Sequence, residues 1–240
     1  MRYELYYWNG IQGRGEFVRL ALEEAGADYV DVARRPGGEA KMRRLMEGAA
    51  GIHPPFAPPF LQAGEFLIGQ TANILFYLGE PLGLAPADQE GRLWAHQLQL
   101  TIADFVDEIH DTHHPIASSL YYEDQRAEAR ARAVDFRRAR MPKYLGYFEN
   151  VLNHNRSGSG HLIGTEVTYP DLSLFQIVAG LRYAFPDRIG ALMPQYPGVA
   201  ALHDAVAARP RIAAYLASDR RIPFNQHGIF RHYPELDGTE

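Results

Sequence analysis

Tyr3-Glu4-Leu5-Tyr6-Tyr7-Trp8-Asn9-Gly10-Ile11-Gln12-Gly13-Arg14-Gly15-Glu16-Phe17 is the stretch from which the fold can be read. Tyr3, Leu5 and Tyr7 alternate with Arg2, Glu4 and Tyr6, the two-residue period of a strand. A glycine-rich turn follows. Phe17, Leu20, Ala21 and Ala25 then share one face of a helix, and Gly26 supplies its stop. Tyr29 to Val32 is short and β-rich. The chain therefore opens β-α-β, which implies parallel strands joined by a crossover helix.

Working outward, Arg34 to Gly51 carries no clear pattern, and His53-Pro54-Pro55-Phe56-Ala57-Pro58-Pro59 cannot be helical. Phe60–Gln62 and Phe66–Ile68 flank Ala63-Gly64-Glu65 as a hairpin. Gln70-Thr71 opens an apolar helical run that ends at Gly79. Residues 1–80 thus form one α/β unit, and the Pro- and Gly-rich residues 81–87 read as a linker. From 88 to 240 the patterning is helical. Trp94, Leu98, Ile102, Phe105 and Ile109 form the stripe of one long helix that stops by Pro115. A second long helix is expected from about Asp124 to Leu152. Its arginines are interleaved with Glu128 and Asp135, as on a solvated face. Thr168-Tyr169-Pro170-Asp171 fits a helix N-cap with an acidic third residue. Shorter helices are expected near Val199–Ala207 and Arg211–Ala217.

Composition narrows the function. At roughly 100–200 residues per domain, 240 residues allow one large domain or two small ones. There are no cysteines, so any thiol chemistry must use a ligand's thiol. The balance of 24 basic against 29 acidic residues lacks a nucleic-acid footprint. No apolar run approaches the ~20 residues of a membrane helix. Met1 to Leu5 has no signal-peptide core. The expectation is a cytoplasmic protein with no nucleic-acid or membrane partner.

Several residues invite a chemical reading. The glycines read G-x-x-G-x-G, the reverse of a dinucleotide fingerprint, and further parallel strands are missing. Asp104, Asp107, Glu108, His110, Asp111, His113 and His114 cluster along one helix and its end. A di-metal bundle would need matching ligands on other helices, and no Glu-x-x-His occurs in the chain. The cluster is read as lining a pocket or interface, with no metal. Tyr7, at the strand end beside the turn, reads from periodicity alone as a core tyrosine.

Five segments change that reading. The run Tyr6 to Leu20 resembles the start of the tyrosine-type (mu, pi and sigma) classes of cytosolic glutathione transferase. Ala57-Pro58-Pro59-Phe60-Leu61 resembles that family's cis-proline segment. Gln70-Thr71-Ala72-Asn73-Ile74-Leu75 resembles its Q-S-x-x-I-L. Leu162 to Asp171 resembles its capping-box motif, and Ala207 to Leu216 its pi-class C-terminal pattern. The resemblance covers nearly the whole chain. It implies a thioredoxin-like domain (βαβ-ββα) followed by an all-α domain.

The same resemblance implies roles. The protein would be a detoxifying glutathione transferase joining the glutathione thiolate to a hydrophobic electrophile; the alternative is a non-catalytic ligand-binding relative. Tyr7 would donate to the glutathione sulfur. Gln70 and Thr71 would hold the γ-glutamyl group. Pro58 would pair through its carbonyl with the cysteinyl amide, before a cis bond at Pro59. Trp8, Arg14 and Lys41 would meet the glycyl end. Asp104 would reach the ligand of a neighbouring subunit, which implies a homodimer. His114 would line the hydrophobic pocket. The turn is one residue longer than the family's, which leaves Tyr6 and Tyr7 both open. Strand phase with Tyr3 and Leu5 favours Tyr7.

Overall fold

The computed structural model describes residues 1–49, 51 and 53–239. Ala50, within the stretch left unpatterned by sequence, and Ile52 and Glu240 lie outside the described residues.

The α/β unit begins with β1 (Tyr3–Tyr6), α1 (Gly15–Ala25) and β2 (Tyr29–Asp31). Next come α2 (Gly38–Arg44), β3 (Phe60–Ala63), β4 (Phe66–Gly69) and α3 (Thr71–Gly79). The sheet order is β2-β1-β3-β4. β1 pairs parallel with β2 and antiparallel with β3, in register Tyr6 to Phe60. The hairpin turns at Gly64-Glu65. Gly26, at φ 64°, ends α1 in the left-handed conformation that glycine adopts without a Cβ penalty.

The alternation of β1 divides the core. Tyr3 and Leu5 join Val18, Leu22, Ile74 and Leu78 beneath α1 and α3. Tyr6 points to the other face, with Phe60, Val32, Ala33 and Met42 of α2. The opposite side of α1, with Phe17, Leu20 and Ala21, is continuous with the helical core. One of the three core clusters therefore spans both units.

The helical unit comprises α4 (Gln89–Asp111), α5 (Arg126–Asp135), α6 (Met141–His154), α7 (Tyr169–Ala184), α8 (Pro186–Leu192), α9 (Pro197–Ala207) and α10 (Pro210–Leu216). α7 is its axis, buried nearly throughout and packed on α1, α4 and α9. The Asp171 carboxylate accepts from the Thr168 backbone and hydroxyl, both at 2.7 Å, closing the expected cap. The helix expected from 124 to 152 runs without interruption from 126 to 154, as α5, a π-type turn and α6. The π-type turn, Phe136–Arg140, leads into α6, where Pro142 lacks the N–H that a regular helix would use. Its arginine face is mostly solvated, but Arg137 is buried and donates to the Leu236 carbonyl. α8 had no clear signal in the sequence.

The C-terminal segment folds back over the body. Phe230 fills the space above Gly180, where a Cβ would lie 2.3 Å from its ring. Tyr233 stacks on Tyr122 at 3.8 Å, and Asn225 donates to the Gly10 carbonyl at 2.8 Å.

Candidate active site

The site forms where β1 runs out beneath the N-terminus of α1. Tyr7 is 5% exposed. Its hydroxyl accepts from the Arg14 backbone N–H at 2.8 Å. Gly13 and Gly15 make room for the ring: a Cβ on either would fall 2.0 Å and 2.5 Å from Tyr7 atoms. The glycine-rich turn is therefore a socket for a phenol, not a phosphate cradle. Burial pushes the Tyr7 hydroxyl above its ordinary pKa, against the opposing pull of the Arg14 N–H and the Arg14 and Arg19 charges. It stays protonated at neutral pH, so it can donate its own hydrogen.

Within the turn Gly10 sits at φ 82°, and the Asn225 side chain donates to its carbonyl at 2.8 Å. Tyr6 is in a different setting. Its ring stacks on Phe60 at 4.7 Å, and its hydroxyl donates to Glu4. Burial, then the Glu4 carboxylate, push it up to about 12.

The other predicted residues fall into two groups. Arg14 and Thr71 line one small cavity of about 30 Å³ with Phe17, Gln99 and Ile102. The Thr71 hydroxyl there is buried without a hydrogen-bond partner. Gln70 precedes α3 at φ 69° and ψ 122°, a region non-glycine residues rarely occupy. Its side chain is exposed. Pro58-Pro59 is cis. Trp8 is half-buried with the Arg43 guanidinium 5.2 Å over its ring.

Lys41 stands apart from Tyr7. Its ammonium pairs with Glu4 at 2.7 Å, on the Tyr6 face of the sheet. Asp104 is exposed on α4. His114 sits beyond the end of α4 with His110 and His113. It also borders a cleft of about 650 Å³ with Tyr121, Gln226 and Arg231.

Several supporting residues were not singled out from sequence. Asp107 pairs with the Arg14 side chain. Glu16, fully buried, accepts from Arg19 at 3.1 Å, from the Tyr215 hydroxyl at 2.7 Å and from Arg221. Arg19 also donates to Asp31 at 2.7 Å. The Gln12 side chain donates to the Ile222 carbonyl and accepts from Gln176 at 2.8 Å. The available signal was the pair Glu16 and Arg19, three apart within an otherwise core-facing helix.

Comparison with known proteins gives the same picture. Residues 110–219 match the family model described as the C-terminal domain of glutathione S-transferase. The chain is 28% identical to glutathione S-transferase P 1 of Xenopus laevis over 214 residues, covering 88% of this chain and 90% of the frog protein. It is 27% identical to human glutathione S-transferase P over 225 residues, covering 91% and 94%. The structure of prostaglandin synthase D of Nilaparvata lugens superposes with a TM-score of 0.70 at 20% identity, over 93% of this chain and all of that one. With a two-part fold and a phenol seated in the first turn, the chain is similar to glutathione S-transferases over most of its length, and residues 110–219 match that family's C-terminal domain.

Proposed function

We propose that this chain is a glutathione transferase of the tyrosine type, with Tyr7 as the group that activates the thiol. One observation carries the reading: the Tyr7 hydroxyl is fixed as an acceptor of the Arg14 N–H, so its remaining hydrogen is free for a sulfur. A thiol of pKa ~8.5 is only ~3% thiolate at pH 7. Lowering that pKa by ~2 units requires ~2.7 kcal/mol of preferential thiolate stabilisation. A single hydrogen bond to a charged group supplies about 1.5–3 kcal/mol. The thiolate sulfur then bonds to an electrophilic carbon of an apolar substrate, and a leaving group departs or the adduct takes up a proton.

The remaining contacts follow from placement. Gln70 and Thr71 hold the γ-glutamyl group at the start of α3, where backbone N–H groups favour a carboxylate. The Thr71 hydroxyl, unpartnered among the described residues, is available to it. Pro58 offers its carbonyl beside the cis bond to the cysteinyl amide. Trp8 and Arg14 take the glycyl end. Lys41, engaged by Glu4, is left out of this set. His114 borders the electrophile pocket. Asp104, exposed on α4, reaches the ligand of a second subunit, making the protein a cytoplasmic homodimer with shared sites. Among the described residues no helix is long and apolar enough to cross a membrane.

The test is calorimetry with glutathione followed by conjugation to a generic aromatic electrophile. Binding with turnover is expected. Binding without turnover across a panel of electrophiles would favour the non-catalytic alternative. Gel filtration checks assembly: a ~27 kDa species that binds glutathione normally would contradict the role of Asp104.

A further inference from the structure

Three imidazoles converge where α4 ends. His110 is the penultimate residue of that helix, and His113 and His114 lie in the turn after it. One ligand atom from each lies within 4.8 Å of the others. The ring centroids are 5.1, 5.1 and 4.8 Å apart. Nδ1 of His113 is 2.5 Å from Nδ1 of His114.

The partners of these rings decide which nitrogens are available. Nε2 of the buried His113 lies 2.8 Å from the Ile229 carbonyl. A carbonyl only accepts, so the proton sits on Nε2 and the Nδ1 lone pair faces His114. Nδ1 of His110 lies 3.2 Å from the Asp111 carboxylate. The same argument puts that proton on Nδ1 and leaves Nε2 with a lone pair. An imidazole that donates one N–H to a carbonyl or carboxylate and presents its other nitrogen is the usual outer arrangement of a metal-bound histidine.

We propose that His110, His113 and His114 form a three-imidazole site for a divalent transition-metal ion, with zinc the best match and a fourth position open to water. Zinc–nitrogen bonds of ~2.0–2.1 Å in tetrahedral geometry place ligand nitrogens ~3.3 Å apart. The His113–His114 contact must open, and the other separations must close. His110 and His114 are only partly buried and can rotate to do so, while Ile229 anchors His113. An all-nitrogen set suits zinc, copper or nickel rather than magnesium or calcium. The cleft beside His114 gives the ion an entry path. Unlike a di-metal bundle, which draws ligands from several helices, this site takes one ligand from the end of α4 and two from the turn directly after it. The main opposing charge is Arg231, which bears on all three rings, with Arg14 bearing on His110. The Arg231 guanidinium donates to the carbonyls of Gly228 and His227, and Asp111 offsets it.

The test is titration of the full, untagged, chelator-treated chain with cobalt(II), followed by displacement with zinc. One equivalent should produce an intense visible ligand-field band that zinc abolishes. His110→Ala and His114→Ala should each weaken cobalt binding by about tenfold or more. Arg231→Gln should tighten it, and His227→Ala, at an exposed histidine nearby, should leave it unchanged. An unaltered thermal midpoint establishes that the variants are folded. No band at one equivalent, or unchanged binding in the double variant His110→Ala/His114→Ala, would overturn the proposal. So would equal weakening by His227→Ala, which would make surface histidines in general responsible.

Discussion

The backbone N–H of Arg14 donates to the Tyr7 hydroxyl at 2.8 Å, tying the end of the first strand to the start of the first helix. The ring reaches that position only because Gly13 and Gly15 carry no side chains. Gly15→Ala should therefore move the phenol while leaving in place the residues at the start of α3 proposed to hold the ligand. The expected result is a fall in turnover of up to about 100-fold, the cost of an ångström-scale misplacement. Glutathione affinity should change little. Steady-state kinetics beside calorimetry separate the two, and an unchanged turnover would mean the socket does not position Tyr7.

Glu16 joins the two units. It bonds Arg19 from its own helix and Tyr215 and Arg221 from the C-terminal region. Glu16 and Arg19 are both fully buried. Removing one partner of a buried pair leaves a charge uncompensated and costs about 3–5 kcal/mol. Glu16→Ala should lower the unfolding midpoint by about 6–20 °C in a chain of this size. Calorimetric scanning reads it directly. A shift within a degree or two would show that the network is dispensable.

Gln70 occupies positive φ without being glycine. Holding such a residue there costs of order 1–3 kcal/mol. Gln70→Gly relieves that strain and should leave the midpoint equal or higher. It removes the amide proposed to hold the γ-glutamyl group, so glutathione binding should weaken by about tenfold, the value of one hydrogen bond. Loss of stability with intact affinity would reverse the assignment.

Glu108 accepts from Arg140 at 2.6 Å and from the Tyr144 hydroxyl at 2.9 Å, linking α4 to the start of α6. Partial burial raises its pKa, but the Arg140 and Tyr144 hydrogen bonds and the Arg140 and Arg132 charges outweigh that and hold it below the ordinary value. The native state therefore binds the proton less tightly than the unfolded chain. The stabilisation is present above the unfolded value of ~4.3 and is lost as pH falls through the lower native value. Glu108→Gln should destabilise by about 1–2 kcal/mol at pH 7 and converge with the wild type in acid. A midpoint difference that does not shrink with acidification would contradict the linkage.

Much of this was legible in the sequence, for physical reasons. Two-residue alternation through Tyr3, Leu5 and Tyr7 set the strand, and the same alternation sent Tyr6 to the opposite face with Phe60. Thr168 and Asp171 announced a helix start because their side chains complete the hydrogen bonds of its first turn. Other features depend on partners far along the chain. Nothing local to Lys41 says that Glu4 will claim its ammonium. Asp107 looks like any exposed acid until Arg14 is brought to it. Arg137 belongs to a run of solvated arginines, yet it turns inward because the C-terminal segment brings the Leu236 carbonyl to it. The alanine- and arginine-rich residues around 126–140 favour helix, so the helix was legible there while the π-type turn before Pro142 was not.

The measurement closest to the central claim compares Tyr7→Phe with Tyr6→Phe, following the pH at which bound glutathione ionises by thiolate ultraviolet absorbance, together with turnover at neutral pH. Tyr7→Phe should keep glutathione bound, raise the thiol pKa by about 1–2 units and depress turnover by about 10- to 100-fold. Tyr6→Phe should leave both near wild type. An unmoved thiol pKa in Tyr7→Phe, or the larger shift in Tyr6→Phe, would contradict the assignment of Tyr7 as the thiol's activator.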